Sequence, residues 1–236
     1  GGAMRYWLWD RGRKVCQSSR SMDERGRMAK SDLSIRTALL EGRYIWGDTD
    51  VYEEAKQRFF SEVVAGTDST FVAEKLAERD ARHVKMGDSR YVVEPNVKEG
   101  KGGMRDLQTL YWIGKYIHRV ASAEDLVEVG LLTADEFKRF RKAANFLWAV
   151  RCHMHDITGR AEDRLTFDLQ PEVARRMRFA DRPGKSSVER FMQYYFLNAK
   201  VVGNLTGVFL AHLDETHNAG VRRFLPSLTR KPKKLK

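Results

Sequence analysis

Residues 94–108 read Glu-Pro-Asn-Val-Lys-Glu-Gly-Lys-Gly-Gly-Met-Arg-Asp-Leu-Gln, an order of residue types suited to holding a polyphosphate. Gly100, Gly102 and Gly103 let backbone N–H groups approach an anion closely. A helix expected to begin near Arg105 adds a favourable dipole at its N-terminus. Lys98, Lys101 and Arg105 supply positive charge for phosphate oxygens. Glu94 brings a carboxylate to the front of the same loop. A plainer reading fits the same residues, a glycine-rich connection solvated by its lysines, and the pattern alone leaves both open.

Several elements must position this loop, and most of them read as helices. Leu33, Ile35, Leu39, Leu40 and Ile45 follow Ser31 or Asp32 as N-cap, giving a helix over 32–46 that stops at Gly47. Asp50 opens a second helix through about Val64, and a third runs from about Ser69 to Met86. The helix after the loop buries Leu107, Leu110, Tyr111 and Ile113. Thr133-x-x-Glu136 is a capping box for a long helix, 134–158, closed by Gly159. A short helix follows Pro171. Ser186-x-x-Glu189 opens a last helix reaching about Thr216, in which Gly203 and Gly207 permit close packing. Strand signals are confined to Lys14–Ser18 and Ser89–Glu94, the second ended by Pro95. Two lone strands make no stable sheet, so either their partners lie outside this chain or the sheet is a remnant.

At 236 residues, 42% hydrophobic and 11% aromatic, the chain has the composition of a folded globular protein. No apolar run of about 18 residues supports a membrane span, and no signal core follows the first residues. Two cysteines, Cys16 and Cys152, fit a reducing, cytoplasmic setting better than a disulfide framework. The net charge of +11 suggests nucleic acid, yet Arg222, Arg223, Arg230, Lys231, Lys233, Lys234 and Lys236 supply most of it. That run reads as a solvated linker, and no nucleic-acid partner is expected.

Other motifs are read as structure. His155-Asp156 spells a dipeptide used by metal-dependent phosphohydrolases, but that chemistry also needs an earlier His and a later Asp to complete the metal shell, and no full constellation of that kind is read here. His153 and His155 point about 200° apart on a helix and cannot share an ion. Arg160, Glu162, Asp163, Arg164 and Asp168 form a salt-bridged loop or a surface facing a ligand. Trp112 and Trp148 are expected in the core.

The segment Glu94-Pro95-Asn96-Val97-Lys98-Glu99-Gly100-x-Gly102-Gly103-Met104-Arg105-Asp106-Leu107 resembles a signature of the bacterial PII uridylyltransferases. The resemblance extends from about Leu8 to Leu213. It takes in Ile35-Arg36-Thr37-Ala38-Leu39-Leu40-Glu41, Ala77-Glu78-Arg79-Asp80-x-Arg82-His83, Phe146-Leu147-Trp148-x-Val150-Arg151-Cys152-His153 and Thr158–Asp168. Two positions depart from the pattern: Cys16-Gln17, where Gly-His is expected, and Lys101, where proline is common.

The resemblance implies a mainly α fold, a helical bundle-like domain with a small β remnant of a polymerase-β-type nucleotidyltransferase domain. It implies UMP transfer from UTP to a tyrosine of the PII regulatory protein, with Mg²⁺ held by three carboxylates. The family's Gly-Gly/Gly-Ser turn followed by Asp-x-Asp is not found in this chain, nor are a full HD constellation or an ACT region, so this piece is expected to be inactive alone. Glu94 is the candidate third carboxylate, catalytic and metal-binding; a structural partnership with Lys98 or Arg105 is the rival role. Lys98, Lys101, Gly102, Gly103 and Arg105 are the implied nucleotide contacts. The expected division is a cloning remnant at 1–3, nucleotidyltransferase sequence at 4–108, a helical domain at 109–217 and a basic linker at 218–236. An alternative makes the helical region a docking module for PII or for the HD domain, without nucleotide contact. Oligomeric state has no sequence signal.

Overall fold

The computed structural model describes residues 20–216 together with Tyr6 and Asp10. The expected strand Lys14–Ser18 and the basic tail lie outside the described residues. The chain divides into two compact units, Gly1–Gly66 and Thr67–Lys236.

In the first unit, α1 (Met22–Ser31) and α2 (Leu33–Leu40) meet at Asp32, whose side chain caps α2 by accepting the N–H groups of Ser34 and Ile35. Arg36 is buried, and its guanidinium donates to the carbonyls of Ala29 at 2.8 Å and Lys30 at 2.7 Å. It thereby satisfies carbonyls that the end of α1 leaves without helical partners. The helix expected over 32–46 ends at Leu40, because Glu41-Gly42 closes it and Asp48 caps the next one. That next helix, α3 (Thr49–Arg58), continues as a π-helical segment, Phe59–Val64. Phe59, Val63 and Val64 join Ala29 and Leu40 as the buried apolar residues among those described in this unit.

The second unit is built from α4 (Asp68–Lys85), α5 (Met104–His118), the short α6 (Asp125–Glu128), α7 (Ala134–Thr158), α8 (Gln170–Arg176) and α9 (Ser187–Thr216). Both capping boxes form. Thr133 and Glu136 exchange bonds at the start of α7, and Ser186 and Glu189 do so before α9. Gly159 ends α7 in the left-handed region. Helix α9 packs against α5, α7 and α8, and α4 packs against α5. Phe71 of α4 stacks on Tyr116 of α5 at 3.8 Å, both rings fully buried, and Phe146 of α7 meets Tyr194 of α9 edge-on at 4.9 Å.

The fold is mainly helical, and no strand is present among the described residues. Ser89–Glu94, expected as a strand, forms no ladder. Pro95 has no N–H to offer, and pairing is limited to one antiparallel bridge between Asn96 and Arg164. Residues 108 and 109 both lie within α5. Two packing expectations change. Trp148 is 47% exposed instead of core. Gly203 makes room for the Arg90 guanidinium, and Gly207 faces open space, so only the first marks a close approach.

Candidate functional site

Residues 94–103 are pinned at both ends. At the front, Pro95 O accepts from Leu165 N–H, and Val97 N–H donates to Asp163 O. Glu94 Oε1 accepts the Phe167 N–H at 2.9 Å. Asn96 then folds the chain back, its Oδ1 accepting the N–H groups of Lys98 at 3.1 Å and Glu99 at 2.7 Å. At the rear, Met104 and Arg105 donate to the carbonyls of Val97 and Lys98, so the loop closes as the helix starts.

The glycine amides are spent inside the loop. Gly100 N–H donates to Asn96 O, Gly103 N–H to Gly100 O, and Gly102 N–H to Asp106 Oδ2 at 2.8 Å. Gly102 adopts φ +82°, and a Cβ there would stand 2.6 Å from Ala199 O and 2.9 Å from Ala199 Cα. The glycine thus lets the loop tip lie directly on the backbone of α9. In this conformation, anion-binding capacity rests on the side chains.

Behind the loop sits a buried network. Asp106, only 3% exposed, accepts from Arg82 Nη2 at 2.6 Å and from His83 Nε2 at 2.9 and 3.0 Å. A carboxylate can only accept, so Nε2 carries the proton. Burial pushes the Asp106 carboxyl up. The hydrogen bond and charge of His83, the Gly102 N–H and the Arg82 charge outweigh it and hold the carboxyl below its ordinary value.

In front lies a row of alternating charges. Glu99 Oε1 takes Arg105 Nη2 at 3.2 Å and Lys98 Nζ at 3.4 Å, while Arg82 Nε stands 3.7 Å from Glu99 Oε2. Lys98 Nζ is also 4.0 Å from Asp163 Oδ2. Asp163 Oδ1 accepts from Arg151 Nε at 2.6 Å and faces His155 Nε2 at 3.2 Å. Burial raises the Asp163 carboxyl, but the bonds from Arg151 and His155 and the charges of Arg151 and Lys98 bring it below its usual range. Arg105 lies over the Trp112 ring at 5.2 Å, a ring also faced by the Lys75 ammonium at 4.8 Å.

The structure therefore brings Lys98 and Arg105 together on Glu99. Lys101 turns elsewhere and pairs with Asp88 at 2.6 Å. Glu94 binds the Phe167 N–H, and neither Lys98 nor Arg105 is its partner. His155 and Asp156 diverge, the first toward Asp163 and the second to Arg176. Among the described residues no three His, Cys, Asp or Glu side chains are grouped to hold a metal ion. Sequence reasoning missed Arg82, His83, Glu99, Asp106, Arg151 and Asp163 as parts of one cluster. One signal was available: Val72, Leu76 and His83 share the buried face of α4, and a histidine in an apolar stripe needs a polar partner.

The family model described as GlnD PII-uridylyltransferase matches residues 70–210, a span that contains this whole cluster. Over 233 residues, 99% of this chain, it is 69% identical to the bifunctional uridylyltransferase/uridylyl-removing enzyme of Novosphingobium aromaticivorans, covering 26% of that protein. The proteins of the same name from Erythrobacter litoralis and Rhodospirillum rubrum are 68% and 55% identical over 90% of the chain, which covers 23% of each. The chain thus spans about a quarter of the length of these relatives. It belongs to the GlnD PII-uridylyltransferase family.

Proposed function

We propose that this chain is the part of a PII uridylyltransferase that helps hold UTP while UMP is transferred to a tyrosine of the PII protein. The observation that carries this reading is the convergence of Lys98 Nζ and Arg105 Nη2 on one oxygen of Glu99. Two partly exposed cations held side by side form a ready contact for adjacent phosphate oxygens. Lys98 and Arg105 bind the phosphates. Lys101 reaches them only by leaving Asp88. Gly102 and Gly103 shape the loop and set the direction in which Lys98 and Arg105 point.

Glu94 is the ligand that this reading assigns to Mg²⁺, and other carboxylates must complete the ion's shell. The residues described do not make that site by themselves. Bound Mg²⁺ would supply charge stabilisation at the transferring phosphate. The β-containing nucleotidyltransferase domain that carries the Asp-x-Asp pair is part of the same proposal, as is the inactivity of this chain alone.

The test uses an intact enzyme of the relatives' length carrying this sequence. Lys98→Ala and Arg105→Ala should each raise the UTP concentration needed for half-maximal uridylylation by about tenfold or more, the loss of one charge-assisted hydrogen bond. Unchanged UTP dependence in both variants would overturn the phosphate assignment.

A further inference from the structure

The row of charges continues onto α7 and ends in an exposed aromatic ring. Trp148, Arg151 and His155 are three and four residues apart on that helix, which puts all three on one face. Arg151 Nε is engaged by Asp163 Oδ1 at 2.6 Å, and its guanidinium carbon lies 5.7 Å from the centre of the Trp148 ring. The other side of the same carboxylate faces Lys98 Nζ at 4.0 Å. Asp163 thus holds Arg151 on one oxygen and Lys98 near the other, and Trp148 neighbours Arg151.

A tryptophan this open to water leaves a large apolar surface unburied, here beside a fixed cation that shares the Asp163 carboxylate with Lys98. That arrangement matches a nucleotide, with its flat base at one end and its anionic phosphates at the other. We infer that Trp148 and Arg151 form the base-side part of the nucleotide site, Trp148 stacking on the base and Arg151 contacting the phosphate chain between the base and Lys98. The inference rests on the phosphate reading of Lys98 and Arg105. Stacking on an aromatic ring tolerates any base, so this subsite contributes affinity for a nucleoside triphosphate and not selectivity among bases.

The experiment is calorimetric titration of the 236-residue chain with UTP and, separately, with inorganic tripolyphosphate. Trp148→Leu should weaken UTP about tenfold, the usual scale for losing one base stack, and leave tripolyphosphate unchanged. Trp148→Phe, which keeps a ring, should retain most of the UTP affinity. Arg151→Gln should weaken both ligands. Equal UTP affinity in wild type and Trp148→Leu would overturn the inference. So would an equal loss for both ligands in Trp148→Leu, which marks a structural role, or a wild-type chain that binds neither. Lys98→Ala separates the two readings. If it leaves both ligands unaffected while Trp148→Leu weakens UTP, the phosphate assignment alone fails. If it weakens both while Trp148→Leu weakens neither, the base-side inference alone fails.

Discussion

The Asp106 carboxylate accepts the Gly102 N–H at 2.8 Å across the tip of the loop, so the first turn of α5 holds its own entry segment in place. The same carboxylate takes Arg82 and His83 from the end of α4. One buried charge therefore ties together α4, the loop and α5. Arg82 in turn stands beside Glu99, the carboxylate on which Lys98 and Arg105 converge. Asp106 is thus linked through Arg82 to the carboxylate that those two cations share.

Removing that carboxylate should be costly. Asp106→Ala leaves Arg82 and His83 facing an uncharged, buried space, and the loss of one partner of such a network costs about 3–5 kcal/mol. Urea unfolding of the chain measures it. A loss below about 1 kcal/mol, the scale of an exposed ion pair, would show that the network is not structural.

The pH dependence has a definite sign. The Asp106 carboxyl is held below its ordinary value in the folded chain, so its contribution is complete above the unfolded value, about 3.9. It is lost as pH falls through the lower, folded value. Stability of wild type should therefore exceed that of Asp106→Asn at neutral pH, and the gap should narrow only below about pH 4. A gap that stays constant from pH 7 to pH 3 would remove Asp106 from the acid limb.

Glycine positions separate by what a methyl group would meet. Gly102→Ala puts a Cβ into the backbone of α9 at φ +82°, where no side-chain adjustment relieves it; it should cost more than about 1–2 kcal/mol. Gly207 faces open space inside α9, so Gly207→Ala should raise stability by about 0.5–1 kcal/mol. Thermal unfolding of the two variants should move in opposite directions.

Local signals carried much of this structure. Thr133 with Glu136, Ser186 with Glu189, and Gly159 mark helix ends through contacts three residues apart or through one backbone angle, and all three are legible in sequence. Partners distant along the chain are not. Glu94 meets Phe167 N–H across 73 residues, and His83 meets Asp106 across 23, and no periodicity encodes either meeting. Trp148 misled for another reason: Phe146-Leu147-Trp148-Ala149-Val150 is apolar all round the helix, so the pattern does not say which side is buried. The loop glycines were legible as an anion-approaching or merely connecting stretch. Their engagement with Asp106 and Ala199, in place of an open anion cradle, depends on how α5 and α9 pack.

The capping box at α7 gives a smaller, cleaner number. Thr133 Oγ1 accepts the Glu136 N–H at 3.3 Å, and Glu136 returns a bond to the Thr133 N–H at 2.8 Å. Thr133→Ala should cost about 1 kcal/mol, and Thr133→Ser less. Equal stability of all three by urea unfolding would mean that tertiary packing alone sets this helix start.

Glu94 allows charge and structure to be separated in one position. Its Oε1 accepts the Phe167 N–H at 2.9 Å, and an amide carbonyl can accept the same bond. Glu94→Gln therefore keeps the contact between residue 94 and residue 167 while removing the negative charge. If Glu94 is a metal-binding carboxylate, Glu94→Gln in the intact enzyme should lower uridylylation by orders of magnitude while UTP still binds and the fold remains as stable as wild type. Glu94→Ala, which loses both charge and acceptor, should then match Glu94→Gln in activity but be less stable, by about 1 kcal/mol for the lost hydrogen bond. Near-normal turnover in Glu94→Gln, with a stability loss confined to Glu94→Ala, would assign Glu94 to holding residues 165–167 and place the third carboxylate elsewhere in the enzyme.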